Sequence, residues 1–185
     1  MESFETPRLI LRQWRAGDLD DFYSYSRDPL VGPGAGWKPH ESREESRRVL
    51  QSFLKSGEVY ALELKESGKA VGSLGLHRSR LVHTGLLTGE GRKIGYALSR
   101  SCWGRGLMTE AVKGAERQAF LRMGLDYLLA AHFPSNVRSK RVIEKCGFQY
   151  AETLRGSYSD YRGRKMDEVV YLLTKEEYSR TAGLS

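Results

Sequence analysis

Short apolar runs in the first half of the chain predict strands. They cover residues 8–12, 59–65, 70–76 and 94–98. The turn Glu66-Ser67-Gly68 separates the middle two runs, which therefore predict a hairpin. A glycine-rich and polar stretch, residues 80–92, precedes the last run and predicts a loop.

Helical spacing appears twice between the first two of these strands. Asp18 is placed to cap a first helix, whose apolar residues are Leu19, Phe22 and Tyr23. The glycines and prolines of residues 28–39 then predict a loop. Ser42-Arg43-Glu44-Glu45 has the form of a capping box and opens a second helix, which Gly57 ends. The apolar face of the second helix consists of Val49, Leu50, Phe53 and Leu54.

The second half of the chain alternates between helical and strand patterns. Apolar residues at helical spacing predict a helix that begins at Leu107 and stops at Gly124. After it come a strand over 127–133, a short helix over 137–145 and strands over 148–154 and 168–173. A strand–helix–strand unit requires a parallel pair, whereas hairpins require antiparallel pairing. We therefore expect an α+β fold, with a mixed sheet flanked by helices, in a single domain over residues 1–185.

The composition is that of an ordinary globular protein, with 39% hydrophobic and 29% charged residues. No apolar run is long enough to span a bilayer, and residues 1–5 lack the features of a signal peptide, so we expect a cytoplasmic protein. The net charge of +7 favours anionic partners. Nucleic acid is one candidate and a cofactor with three phosphates is another, and a solvated basic surface explains the charge equally well.

Neither the cysteines nor the histidines form a metal or redox motif. Cys102 and Cys146 each lie beside a glycine turn without Cys-x-x-Cys spacing, so we expect two reduced thiols. The four histidines are scattered, and none has metal-ligand spacing. The sequence therefore predicts no metal.

The most informative stretch runs from Ile94 to Ala111, where a predicted strand leads through Gly104-Arg105-Gly106 into a predicted helix. The first N–H groups of a helix lack partners within it, and the helix dipole adds positive charge, so this turn can bind a pyrophosphate. Its glycines permit positive φ and close approach of a phosphate, and Arg100 and Arg105 can add charge. The stretch has neither the third glycine of a dinucleotide fingerprint nor a Walker A Gly-Lys-Ser/Thr. By spacing alone, a structural glycine turn explains it equally well.

The string Trp103-Gly104-Arg105-Gly106-Leu107-Met108-Thr109-Glu110-Ala111 resembles motif A of the GNAT superfamily of N-acetyltransferases, in the form found in its RimJ/RimL-like branch. Further segments resemble motifs of that branch in the right order, namely residues 6–12, 72–76, 136–139 with 144–148, and 167–171. The resemblance extends from about Thr6 to Tyr178. It implies a mostly antiparallel sheet splayed at its parallel pair, acetyl-CoA as cofactor, and a primary amine as acetyl acceptor.

The resemblance also implies contacts with the cofactor. In the family, the strand before the phosphate turn splays from its parallel neighbour and exposes backbone groups to the pantetheine arm. Here an N–H near Ala97 or Leu98 would stabilise the oxyanion. Asn136 would contact the cofactor arm as well as cap its helix. The implied cofactor-binding residues are Tyr96, Ala97, Leu98, Trp103, Gly104, Arg105, Gly106, Leu107, Met108, Thr109, Asn136 and Ser139.

Direct attack of the amine on the thioester, through a tetrahedral intermediate, requires a general base. Many family members carry a glutamate just before the Ile-Gly-Tyr strand. Here Arg92 and Lys93 occupy that stretch, and Glu90 lies further back. His77, Asp160 and Tyr158 are the other candidates, and a role on the surface is the simpler interpretation of each.

A general acid is also required, to protonate the departing thiolate. Many family members place a tyrosine four residues before the Gly-Phe pair, where this chain has Ile143. Ser139 lies one turn from Ile143 on the same side of the helix, and the branch resemblance places a serine near the cofactor sulfur. A hydrogen bond from Ser139 to its own first turn is the simpler alternative. The catalytic candidates are therefore Ser139, Glu90 and Tyr158.

The branch resemblance implies a protein or peptide N-terminus as acceptor, such as those of ribosomal proteins. A small-molecule amine or aminoglycoside acetyltransferase is the alternative enzyme, although the mostly basic stretches 85–92 and 155–164 disfavour polycations. The alternative class is a non-catalytic module that senses acyl-CoA or binds nucleic acid, and the sequence carries none of the usual nucleic-acid motifs. The sequence leaves a homodimer possible. We expect the activity to require neither nucleic acid nor a membrane.

Overall fold

The computed structural model describes residues 1–78 and 87–183. In this part of the chain one sheet contains β1 (Phe4–Glu5), β2 (Leu9–Gln13), β3 (Val59–Leu64), β4 (Lys69–His77), β5 (Gly91–Leu98), β6 (Tyr127–His132), β7 (Gln149–Ser159) and β8 (Lys165–Thr174). The helices are α1 (Leu19–Ser26), α2 (Arg43–Ser56), α3 (Leu107–Leu121), α4 (Val137–Lys145) and α5 (Lys175–Thr181). The predicted α+β class is confirmed. None of the described helices has the length and hydrophobicity needed to cross a membrane.

The sheet has one parallel pair, β5 with β6, among otherwise antiparallel neighbours in the order β1-β2-β3-β4-β5-β6-β8-β7. The parallel ladder is short. It joins Gly91 to Tyr127 and ends where Ile94 meets Ala130. Residues 95–98 of β5 continue to pair with β4 but no longer pair with β6. A gap therefore opens within the sheet after Ile94, and the predicted splay is confirmed.

Each face of the sheet packs against its own helices. On one face, which we call the α3/α4 face, the core includes Leu128, Phe120 and Ile143. On the opposite, α1/α2 face, Trp14, Phe22 and their neighbours form a second core. A third cluster of Tyr127, Leu129 and Val170 continues the α1/α2 face beyond the gap, because side chains alternate between faces along β6 and β8.

The side chain of Asp18 does not cap α1, so that expectation is wrong. Its carboxylate instead accepts hydrogen bonds from the Arg12 guanidinium, at 2.7 and 2.8 Å, and from the Arg15 N–H. Burial alone would raise the pKa of Asp18, but the hydrogen bonds from Arg12 and Arg15 outweigh it and lower that pKa. Arg12 is 5% exposed and needs this partner, because an unpaired buried charge is strongly destabilising.

The helix faces differ in detail from the predicted ones. In α1 the buried tyrosine is Tyr25 rather than Tyr23. In α2 Ser42 Oγ accepts the Glu45 N–H as predicted, but the Glu45 carboxylate accepts the N–H of Glu41, so half of the expected capping box forms. Leu54, expected on the inner face, is 43% exposed.

Strand bounds also need correction. β5 begins at Gly91, three residues before the predicted start. β7 continues to Ser159, beyond the predicted end at residue 154, and β8 begins at Lys165, before the predicted start at residue 168. In that extension Tyr158 pairs with Met166, because the antiparallel ladder satisfies backbone groups even where the side chains are polar. The short elements β1 and α5 were not predicted. Of the predicted loop 80–92, residues 80–86 lie outside the described residues.

Candidate active site

A cleft of about 840 Å³ lies where β5 and β6 separate. Its walls come from residues 30–35, the open half of β5, the start of α3, the end of β6 with α4, and the hairpin of β7 and β8. The gap in the sheet therefore brings together segments from both faces and from most of the chain's length.

The turn before α3 is fixed by residues from the start of the chain. Glu110 accepts hydrogen bonds from Thr6 Oγ1 at 2.6 Å, from the Arg8 N–H at 2.8 Å and from Arg8 Nε at 2.7 Å. Burial alone would raise the pKa of Glu110, but these bonds outweigh it and lower that pKa. The Arg8 guanidinium also donates to the carbonyl of Arg105 at 2.9 Å, so the turn is held from outside the cleft.

The turn presents free backbone donors. Gly104 and Gly106 both have φ of +75°, which favours glycine. The first backbone bond of α3 runs from the Glu110 N–H to the Gly106 carbonyl. Among the described residues, no acceptor meets the N–H groups from Gly104 to Thr109, and Leu107 and Met108 bury their side chains behind them. This is the geometry of an anion site at a helix N-terminus.

The cations at this end of the cleft are not those expected from the sequence. Arg105 pairs with Glu66 at 3.2 Å, Arg100 pairs with Asp28 at 3.0 Å, and neither lines the cleft. The cleft is lined instead by Arg138, Arg141 and Lys145 of α4. Their spacing of three and four residues places them on one helix face, a signal that the sequence contains but that we did not use.

Trp103 connects the turn to the splayed strand. Its indole Nε1 donates to the Leu98 carbonyl at 2.8 Å, and the Arg138 guanidinium lies over its ring, 4.7 Å from the centroid. Trp103 lines the cleft and packs against the cores of both sheet faces. The tryptophan thus fixes the wall between the open half of β5 and the start of α4.

The open half of β5 offers N–H groups to the cleft. The Ser99 N–H donates to the Val71 carbonyl of β4 at 2.7 Å. Because antiparallel strands bond through alternate residues, the Ala97 N–H points towards β4, whereas those of Tyr96 and Leu98 point towards the gap. Of the two N–H groups expected near the oxyanion, the geometry therefore favours Leu98 over Ala97.

Two hydroxyl groups meet at the centre of the cleft. Tyr96 Oη lies 3.0 Å from Ser139 Oγ, within hydrogen-bond distance. Burial raises the pKa of Tyr96, so its phenol stays protonated and serves as a donor. Ile143, the position where many relatives have a tyrosine, is 1% exposed in the core. Ser139 Oγ pairs with Tyr96 rather than with the backbone of its own helix.

Two side chains hold residues 34–36 over the cleft. Asn136 accepts the Ser139 N–H, capping α4 at 3.0 Å, and its Nδ2 donates to the Gly34 carbonyl at 2.8 Å. Tyr158 Oη donates to the Gly36 carbonyl at 3.0 Å, and burial raises the pKa of this phenol. Gly36 has φ of +90° and is tightly packed, since a Cβ there would lie 2.5 Å from Tyr158 Oη.

Glu90 lies away from these groups. It is exposed, precedes β5, and bonds to Asp126 through its backbone, at the end of β5 that remains paired with β6. It does not line the cleft, and neither does His77. Glu90 stays a prediction from the sequence, at the paired end of β5 and away from the gap where the strands separate.

Asp160 and Glu168 are the carboxylates that line the cleft among the described residues. Asp160 accepts the N–H groups of Arg162 and Arg164 and the Arg164 guanidinium, which lowers its pKa against the opposing effect of burial. Glu168 accepts from Lys93 Nζ at 2.8 Å and from Ser157 Oγ at 3.0 Å. We did not single out Glu168 from the sequence, although an acidic residue that begins an apolar strand was a usable signal.

Comparison with known proteins gives a consistent result. Residues 8–149 match the model of a family described as the acetyltransferase (GNAT) domain. A protein of Bacillus licheniformis called uncharacterized N-acetyltransferase p20 is 28% identical over 97% of this chain and 99% of its own length.

Solved structures share the fold. The ribosomal-protein-S5-alanine acetyltransferase of Vibrio fischeri has a TM-score of 0.73 at 20% identity, covering 96% of this chain and 99% of that one. The spermidine N-acetyltransferase of Vibrio cholerae, in complex with CoA and spermine, has a TM-score of 0.73 at 17% identity, covering 92% and 98%. At these identities the likeness concerns the fold alone.

Proposed function

This chain belongs to the GNAT acetyltransferase family and is an acetyl-CoA-dependent N-acetyltransferase, and from that premise we propose that its acceptor is the α-amine of a peptide or protein N-terminus. The observation that carries this proposal is the charge of the cleft. Asp160 and Glu168, its carboxylates among the described residues, each pair with a cation of the protein. A polycation needs several available carboxylates, whereas an N-terminus brings one positive charge.

The ionisation of an α-amine supports the same acceptor. Its pKa is about 7.7–8.0, against about 10.4 for a lysine side chain, so a larger fraction is neutral and nucleophilic near pH 7. The opening of the cleft is lined by Leu30, which is 55% exposed, and by Tyr161, which is 38% exposed. These apolar surfaces can contact the residues that follow the α-amine of a peptide.

The donor side of the cleft fits acetyl-CoA. We assign the pyrophosphate to the N–H groups from Gly104 to Thr109, which have no other acceptor among the described residues. Arg138, Arg141 and Lys145 supply charge to the phosphates. The Leu98 N–H, which points into the gap, is assigned to the thioester oxygen and stabilises it as negative charge develops.

The Tyr96 and Ser139 hydroxyls supply the proton that the departing thiolate needs. In this proposal Ser139 donates to the sulfur and is reprotonated by Tyr96, 3.0 Å away. A thiol of pKa about 8.5 leaves readily even without help, so we expect this acid to contribute at the low end of general acid catalysis.

The experiment is a thiol-release assay with acetyl-CoA and a panel of acceptors. The panel contains peptides with free α-amines, the same peptides with blocked N-termini and one lysine, and spermidine. We expect turnover of the free α-amines, with mass spectrometry placing the acetyl group on the terminal nitrogen. Rapid turnover of spermidine beside inert peptides would instead establish a small-amine acetyltransferase. Tight acetyl-CoA binding without turnover of any amine would favour a sensor.

A further inference from the structure

We propose that Glu168, oriented by Lys93, binds the ammonium group of the acceptor and takes its proton. The inference rests on the proposed function, because it names the group that would receive the amine. Glu168 is 6% exposed, yet it lines the cleft. A carboxylate in such a position is costly unless it is paired. A polar group that is buried and still faces a cleft is placed to orient a ligand there.

The position of Glu168 is on the acceptor side of the gap. Along β8, Val169 packs against the α3/α4 core, so Glu168 and Val170 point to the α1/α2 face. Lys93 is adjacent to Ile94, whose side chain lies in the α3/α4 core, so Lys93 points to the same face as Glu168. The phosphate turn begins α3, on the opposite face. The carboxylate therefore meets the gap from the side opposite to the phosphate turn.

Lys93 places the carboxylate where the strands part. It belongs to the last paired positions of β5 before the gap, immediately ahead of Ile94. Its Nζ holds Glu168 Oε1 at 2.8 Å, and Ser157 Oγ holds Oε2 at 3.0 Å. One donor on each oxygen fixes the plane of the carboxylate.

Glu168 retains the capacity to accept more hydrogen bonds. A carboxylate offers about four lone-pair sites, and each Glu168 oxygen accepts from one donor among the described residues. Asp160, by contrast, accepts from two backbone N–H groups and from the Arg164 guanidinium, so its hydrogen bonds stabilise the hairpin turn. Among the carboxylates that line the cleft, Glu168 is the one with room for an incoming ammonium.

His132 is the competing base in the cleft, and its position argues against it. Its Nδ1 lies 2.8 Å from the Phe133 carbonyl, and its ring packs 5.6 Å from the ring of Tyr171, in the α3/α4 core. Side chains alternate along β6, so His132 points to the face opposite to Glu168. The imidazole therefore approaches the gap from the face of the phosphate turn, whereas Glu168 approaches it from the opposite face.

The ammonium N–H bond breaks and its proton moves to a Glu168 oxygen, directly or through one water. The freed nitrogen lone pair forms the new C–N bond at the thioester carbonyl, and the C–S bond then breaks with its electron pair on sulfur. The amide nitrogen loses its remaining extra proton to water, and the thiolate gains one from the Ser139 and Tyr96 pair. Glu168 then releases its proton to solvent, and the Ser139 and Tyr96 pair takes one proton back from solvent. The products are one amide, one thiol and one net proton.

The test compares Glu168→Gln with Glu152→Gln. Glu152 pairs across the ladder with Val170, so it lies on the same face two positions along, but it does not line the cleft. We expect Glu168→Gln to lower kcat/KM for peptides about 10²–10³-fold, within the range of general base catalysis, with acetyl-CoA Kd unchanged within about twofold. Glu152→Gln should stay within about twofold of wild type. Equal activity of both variants in the folded state overturns the proposal.

A pH profile separates a base from a merely structural carboxylate. With an ionised Glu168, the complex with the ammonium form is productive, so wild-type kcat/KM is level below the pKa of the α-amine, about 7.7–8.0. The Glu168→Gln variant reacts only with free amine, and its log kcat/KM should rise with unit slope up to that pKa. Parallel profiles for both proteins overturn the base role.

A binding measurement keeps this inference distinct from the proposed function. Calorimetry with the CoA-saturated protein compares one peptide with its N-acetylated form. We expect wild type to prefer the free amine at least about tenfold and Glu168→Gln to lose that preference. Peptide turnover with no effect of Glu168→Gln on rate or binding refutes this inference alone. If wild type prefers the free amine through Glu168 but turns over no peptide, the proposed function alone is wrong. If wild type shows neither this preference nor turnover, both are wrong.

Discussion

The cleft has two sides, which the proposed function assigns to the acetyl donor and to the acceptor. The donor side consists of the N–H groups from Gly104 to Thr109 and the cations of α4. The acceptor side consists of residues 30–35, the tip of the β7–β8 hairpin, Lys93 and Glu168. On the donor side, one continuous turn and one helix provide most of the contacts. On the acceptor side, the contacts join residues far apart in the chain. Tyr158 donates a hydrogen bond to Gly36, which lies 122 positions earlier in the chain, and Lys93 donates to Glu168, which lies 75 positions later.

The difference shows how each side obtains its specificity. Backbone N–H groups bind phosphate whatever the neighbouring side chains are, so the donor side depends on local conformation. The acceptor side depends on pairs of side chains that the sheet brings together. A change in one loop can therefore alter the acceptor while leaving acetyl-CoA binding intact. The following variants test this separation.

The largest effect is expected from Gly106→Val on the donor side. Gly106 has φ of +75°, which a β-branched residue adopts only with strain, and the added methyl groups would stand beside the phosphate site. We expect acetyl-CoA Kd, measured by calorimetry, to rise at least tenfold.

The matched control for this variant is Gly124→Val. Gly124 has φ of +69° beyond the other end of α3 and does not line the cleft. It should lose thermal stability in a similar way while binding acetyl-CoA normally. A folded Gly106→Val protein with unchanged affinity would contradict the assignment of the phosphate site.

An intermediate effect is expected where the two sides meet, at Ser139 and Tyr96. Ser139→Ala and Tyr96→Phe should each lower kcat about 10–100-fold with little change in acetyl-CoA Kd, because each interrupts the same proton path. The double variant should lose little more than either single one, since the two residues act as a unit. A rise only in KM for acetyl-CoA would assign Ser139 to binding instead, and fully additive losses would separate the two hydroxyls.

The smallest effect is expected from Tyr158→Phe on the acceptor side. It removes the hydrogen bond to the Gly36 carbonyl, worth about 0.5–1.5 kcal/mol, and loosens residues 34–36 over the cleft. Peptide KM should rise about 2–10-fold with kcat and acetyl-CoA Kd nearly unchanged. Tyr150→Phe on β7, whose hydroxyl pairs with Thr153 outside the cleft, is the control and should match wild type. A hundredfold loss of kcat in Tyr158→Phe would make Tyr158 a catalytic residue, against this account.

The amino-acid sequence alone determined the elements that local physics controls. Gly104 and Gly106 mark a strand-to-helix turn with free N–H groups because positive φ and an uncapped helix start are local properties. The strand–helix–strand order required the parallel pair, and Asn136 was correctly expected to cap α4.

Only the tertiary structure decided which side chains meet. Arg105 and Arg138 are both arginines near the phosphate turn, yet Arg105 pairs with Glu66 and Arg138 lies over Trp103 at the cleft. Glu90 was expected near the chemistry from its position along the chain, whereas Glu168 reaches the gap from a strand two places away in the sheet. The physical reason is that periodicity sets the face on which a side chain lies, but its partner depends on how strands far apart in sequence are ordered and where they separate.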